Sequence, residues 1–182
     1  MKFNTRILCT AAVVGAAYAV LTLILAPISY GAVQCRVSEV LCILPYFIPG
    51  TAWGLFAGCI VANLLTGNIF DIIFGSLATL AAGLCTAYIG KKPHNRGTTF
   101  LGCLMPVLFN AVIVGAVITQ AYNGMNIFAH FGVFALNAAL VGLGEAVVML
   151  LMGYPLARFL PGKTFFREFV DKCNGKGKEK AK

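Results

Sequence analysis

Apolar stretches of about twenty residues follow one another along this chain with almost no charge inside them, and this pattern constrains the fold more than any other feature. An α-helix rises 1.5 Å per residue, so roughly twenty residues cross a hydrocarbon core about 30 Å thick. A chain of 182 residues with only 11% charged side chains cannot cover itself with polar surface, since a water-soluble domain carries about a quarter. The expected fold class is therefore an all-α membrane protein, one bundle rather than two domains.

Six apolar segments can be drawn, at 7–26, 37–47, 51–65, 69–90, 98–122 and 127–160. Residues that favour turns separate the first four: Pro27, Ser29 and Gly31, then Pro49-Gly50, then Thr66-Gly67-Asn68. Polar stretches at 91–97 and 123–126 divide the rest. The second segment is short for a span, so segments two and three form either two crossings or a re-entrant hairpin. Six transmembrane helices is the preferred reading. The N-terminal apolar run is longer than the core of a cleaved signal peptide and is read as the first retained span.

The net charge of +8 does not point to nucleic acid, which requires basic residues on a shared polar face. Thirteen of the 14 Lys and Arg fall in three clusters. Lys2 and Arg6 precede the first span, Lys91, Lys92 and Arg96 sit in one polar break, and eight lie between Arg158 and Lys182. Six spans place all three clusters on one side, as the positive-inside rule expects of a cytoplasmic face. The expected topology is a multi-pass protein of the plasma membrane with both termini cytoplasmic (N-in/C-in). Residues 1–160 form the membrane domain and 161–182 a basic tail, unstructured beyond Phe169 on its Lys and Gly content.

Away from the basic clusters, four ionisable residues lie in or beside apolar segments: Arg36, Glu39, Asp71 and Glu145. A charge at a helix centre costs roughly 2.5 to 3.5 kcal/mol on insertion scales, so each is expected to face a partner or a cavity. Asn63, Asn110 and Asn137 join them at middle or outer depth. Together they predict a substrate site open to the outside. The simpler alternative pairs Arg36 with Glu39 on one helix face, makes Asp71 a helix cap, and uses the asparagines as interhelical glue. Glu145 resists that reading, because its own span offers no nearby cation.

Other motifs are weak. Pro161-Gly162-Lys163-Thr164 resembles the end of a phosphate-binding loop, but Ala157 occupies the first glycine position. The seven cysteines are scattered without ligand spacing, and most are read as small packing residues. No metal site and no catalytic constellation is expected. In the first span, Ala11, Gly15 and Ala19 recur every four residues, with Ala12 and Ala16 adjoining. Such a face packs either inside the bundle or against another protein.

Three stretches carry a family resemblance: LAPISYGAVQCRVSEVLCILPYF (25–47), ANLLTGNIFDIIFGSLATLAA (62–82) and VGLGEAVVMLLMGYPL (141–156). They resemble the QueT-type S components of energy-coupling factor (ECF) transporters. The resemblance implies a non-enzymatic substrate-capture subunit that works with a transmembrane coupling protein and two ATP-binding subunits. No cofactor is expected in this chain, ATP being bound by the partners. It further implies that the face formed by Ala11, Ala12, Gly15, Ala16 and Ala19 docks the coupling protein, although Gly15 stands where alanine is usual. On that basis Gly15→Leu should spare ligand binding and abolish uptake.

The implied ligand is a queuosine precursor, a 7-deazaguanine such as preQ0 or preQ1. Glu145 or Glu39 would accept its N1–H and 2-amino group, Asn137, Asn110 or Arg36 would donate to its carbonyl, and Asp71 would meet an aminomethyl cation. The competing readings are an S component for another vitamin or nucleobase-like ligand, or a membrane scaffold or intramembrane enzyme.

Overall fold

The computed structural model describes residues 5–29, 35–64, 67 and 69–175. Among them every regular element is helical. In order these are α1 (Thr5–Ile24), the short α2 (Ala26–Ser29), a 3-10 helix (Val37–Tyr46), α3 (Thr51–Leu64), a π turn (Asp71–Gly75) running into α4 (Ser76–Ile89), and α5 (Arg96–Val117) ending in a second π turn (Ile118–Tyr122). Then come α6 (Phe131–Val148), a third π turn (Met149–Gly153), α7 (Tyr154–Phe159), a 3-10 turn (Leu160–Gly162) and α8 (Thr164–Cys173).

Four helical stretches are long and apolar enough to cross a membrane: Thr5–Ile24, Asp71–Ile89, Arg96–Ala121 and Phe131–Gly162. The expected second and third segments are shorter, at 10 and 14 residues. At about 2.0 Å and 1.5 Å rise per residue, each covers only about 20 Å. The expectation of six spans is thus corrected in length to four long helices and two short ones. Pro27 does not end helical structure where expected, because α2 continues through it to Ser29. The expected turn residues Gly31, Thr66 and Asn68, like Lys2 and residues 176–182, lie outside the described residues.

Polarity is inverted relative to a soluble protein. Leu8, Val13, Ile24, Leu136, Leu143 and Leu151 are more than half exposed, whereas Thr22, Ser38, Glu39, Thr51, Asn63 and Thr79 are completely buried. Water would penalise both halves of that arrangement, and a lipid solvent favours both.

The closest packing is between α1 and α3, where backbone meets backbone. A Cβ built on Gly15 would strike the Gly54 carbonyl, one on Gly54 the Ala11 carbonyl, and one on Gly58 the Gly15 carbonyl. Small residues permit this approach, which is a main source of attraction where no hydrophobic effect acts between helices. α4 packs on α3 and α5, and α5 on α6. The 3-10 helix runs through the middle, touching α1, α3, α4, α5, α6 and the Met149–Gly153 turn.

The end of the chain corrects a second expectation. Instead of losing structure beyond Phe169, α8 runs to Cys173 and returns to the bundle. Phe166 packs edge-on against Phe47 at 5.3 Å between ring centroids, and Asn174 Nδ2 donates to the Phe47 carbonyl at 3.0 Å. Phe166, Val170 and Cys173, spaced i, i+4, i+7, supply the inward stripe.

Candidate functional site

The site begins with the winding of the central helix. With three residues per turn, a 3-10 helix stacks i and i+3 directly over each other, so Arg36, at its N-cap, Glu39 and Cys42 form one column. Arg36 Nη2 lies 3.9 Å from Asp71 Oδ2, both side chains nearly inaccessible. Asp71 therefore faces a cation from another element and does not cap its helix. Glu39 is fully buried with both oxygens engaged. Tyr18 O–H, from α1, donates to Oε1, and Cys42 S–H donates to Oε2 at 2.8 Å.

Around that column lies a second ring. Cys59 Sγ, on α3, accepts from Tyr18 O–H at 3.7 Å, Asn63 Nδ2 at 3.4 Å and Thr79 Oγ1 at 3.4 Å. Asn63 Nδ2 also donates to the Asp71 carbonyl at 3.1 Å. Gly75 closes the turn because a Cβ there would press on Asn63 Nδ2 and Asp71 Oδ1, at 3.1 and 3.2 Å. Five elements thus bring Tyr18, Arg36, Glu39, Cys42, Cys59, Asn63, Asp71 and Thr79 into one buried polar cluster.

Glu145 approaches from the opposite wall. It sits on α6, 2% exposed, and accepts from Asn110 Nδ2 of α5 at 2.9 Å through Oε1. Among the described residues its Oε2 is buried without a hydrogen-bond partner. The 3-10 helix that carries Glu39 packs directly on α5 and α6, the helices of Asn110 and Glu145. Among the described residues, the interior of the bundle buries one guanidinium, Arg36, and three carboxyl groups, Glu39, Asp71 and Glu145. A neutral or cationic group with paired N–H donors is the chemistry it accommodates; an added anion is not.

Of the residues expected at a substrate site, Arg36, Glu39, Asn63, Asp71, Asn110 and Glu145 converge. Asn137 is placed elsewhere. Its Nδ2 donates to Thr119 Oγ1 at 2.9 Å, joining α6 to the end of α5. Sequence reading missed Tyr18, Cys42, Cys59 and Thr79. A phenol at mid-span, away from the interfacial belts, was the available signal for Tyr18, because a buried hydroxyl needs a partner. Cys42 and Cys59 were read as apolar packing, yet both are hydrogen-bonded here.

The small-residue face of the first span also divides. Ala11, Gly15 and Ala19 are buried, Ala11 and Gly15 of them against α3, while Ala12 and Ala16 face outward. The physical reason is the glycine pair Gly54 and Gly58, which offers α1 a closer partner inside the chain than outside it. Gly15→Leu is accordingly expected to spread α1 from α3, so it cannot serve as a docking variant that leaves binding intact.

An apolar exterior wrapped around a buried, acid-rich polar centre defines a polytopic helical membrane protein. The chain belongs to the QueT transporter family, whose model matches residues 8–161. That family is one of transporters. The chain is 38% identical over 81 residues to the queuosine precursor transporter QueT of Lactococcus lactis subsp. cremoris (strain MG1363). The match covers 43% of this chain and 48% of that relative, so it spans about half of the relative's length. No solved structure matches the chain.

Proposed function

We propose that this chain captures a queuosine precursor, a 7-deazaguanine such as preQ0 or preQ1, as the membrane-embedded S component of an ECF importer. The observation that carries the reading is Glu145 Oε2, buried with no hydrogen-bond partner while Asn110 holds the other oxygen in place. A guanine-like edge offers N1–H and a 2-amino group side by side, which a fixed carboxylate accepts together. Arg36 supplies the donor for the carbonyl of the base, and Asp71 the counter-charge for an aminomethyl substituent. The name of the Lactococcus relative supports the same ligand class.

In this reading the chain crosses the plasma membrane six times, N-in/C-in, the two short helices counting as crossings, and the acid cluster opens outward. The grouping of 13 of 14 basic residues at the termini and the Lys91 turn supports that orientation. Transport is driven by a transmembrane coupling protein and two ATP-binding subunits. Ala12 and Ala16, the outward half of the small-residue face, dock the coupling protein. Tyr18 lies on the same helix and reaches Glu39, so docking and ligand capture share one rigid element.

Calorimetric titration of preQ1 into the purified chain tests the ligand, with Glu145→Gln as the variant. Loss of one charge-assisted pair should weaken binding by about 10- to 100-fold. Unchanged affinity in Glu145→Gln would remove the basis of the reading. Ala12→Leu combined with Ala16→Leu should leave titration unchanged and stop uptake by cells that carry the partner subunits. Uptake at the wild-type rate would place docking on another face.

A further inference from the structure

We infer that α8 is an in-plane interfacial helix that seats the bundle on the headgroups of anionic phospholipid, independently of which ligand is carried. At 100° per residue, Phe165, Phe169, Cys173, Phe166 and Val170 fall in one continuous arc of about 140°. The bundle uses only half of it. Phe166, Val170 and Cys173 pack on Phe47 and its neighbours, whereas Phe165 is 83% exposed and Phe169 38%. An amphipathic helix with an apolar face this wide lies along a bilayer surface when basic residues flank it.

Position and charge identify the occupant as lipid. The Leu160–Gly162 turn and the extended Lys163 break the axis at the end of the long Phe131–Gly162 stretch, so α8 leaves the spanning direction where the apolar helix ends. Lys163 stands at the N-cap of α8, Arg167 and Lys172 stand on its polar arc beside Glu168 and Asp171, and from Arg158 onward the chain carries eight basic residues against three acidic ones. Beside α8 a cavity of about 630 Å³ is lined by Tyr46, Phe47, Lys91, Lys92, His94 and Asn174. Among the described residues no acidic side chain lines it, and neither Lys91 nor Lys92 is in an ion pair. Aromatic walls and two ammonium groups without a carboxylate suit a phosphate headgroup whose acyl chains lie beside Phe165 and Phe169. Each basic residue near an anionic surface is worth about a fivefold preference.

The test uses the full chain with Trp53→Phe and Phe165→Trp, leaving one tryptophan on the exposed part of α8, in phosphatidylcholine nanodiscs. The discs contain either brominated phosphatidylglycerol or the same amount of brominated phosphatidylcholine. Emission from the introduced indole should be blue-shifted relative to water, quenched in both discs, and quenched more by the anionic lipid. Lys91→Gln with Lys92→Gln, and separately Arg167→Gln, should reduce that excess, by about fivefold for each charge removed. Water-like emission without quenching would overturn the interfacial placement, including the case in which protection appears only when a partner protein is added. Equal quenching by the two lipids, or an excess untouched by the glutamine variants, would overturn the headgroup assignment. Thermal melting of each variant confirms that α8 remains docked, since the substituted side chains are exposed.

Discussion

Glu39 and Glu145 are both carboxylates held inside a membrane bundle, both at most 2% exposed, and they have opposite hydrogen-bonding fates. Glu39 is saturated by its own protein, one oxygen taken by Tyr18 and the other by Cys42. Glu145 is steadied through one oxygen and left open at the other. The family resemblance made either acid a candidate for the base of the ligand. The difference teaches that burial alone does not distinguish the two acids, and that incomplete satisfaction beside a fixed partner does. Glu39 ties α1 to the 3-10 helix, and Glu145 is the receptive group of the proposed site.

The strongest way to break this contrast is to remove what both acids share. Arg36→Met takes away the cation in the field of Glu39, Asp71 and Glu145. Stripping one partner from a buried ionic group costs about 3 to 5 kcal/mol, so the variant should melt far below the parent in nanodiscs. A variant that melted normally would mean that the acids do not depend on Arg36.

Exchanging the acids one at a time sharpens the contrast. Glu145→Gln should reduce preQ1 affinity by about 10- to 100-fold while leaving the melting of the ligand-free protein almost unchanged. Glu39→Gln should do the reverse, lowering melting first and binding only as a consequence. Equal effects on both quantities in both variants would erase the distinction. A smaller effect comes from Tyr18→Phe, which deletes one donor to Glu39 and should cost about 1 to 3 kcal/mol, visible in melting, because a buried charged acceptor is left short.

The smallest effect is expected away from the acids. A double-mutant cycle of Asn137→Ala with Thr119→Val should return a coupling of about 0.6 kcal/mol, typical of hydrogen bonds between membrane helices. A much larger value would draw Asn137 back toward the functional centre.

The long helices were readable because the bilayer fixes their length and the turn residues punctuate them. The central helix was not. Arg36 and Glu39, three apart, suit an α-helix and a 3-10 helix equally, and only the coordinates show the column they form with Cys42. The docking face was ambiguous for a related reason: Ala11, Gly15 and Ala19 read the same whether the partner is another chain or Gly54 and Gly58. The end of the chain was misread because Lys and Gly content outweighed the apolar arc through Phe166 and Val170. Burial of the intramembrane acids away from lipid was legible, since hydrocarbon leaves such groups few other places to go. The split between saturated and open carboxylates was not, because it turns on Tyr18 and two thiols that composition alone counts as packing.

The tight winding of the central helix has a mechanical consequence. Relaxing Val37–Tyr46 from three residues per turn to 3.6 would shorten it by about 5 Å and change the angle per residue from about 120° to 100°. Glu39 would then swing about 60° away from Arg36, and Cys42 about twice as far. Rewinding this one rod is therefore enough to take the column apart, releasing the acid from its thiol.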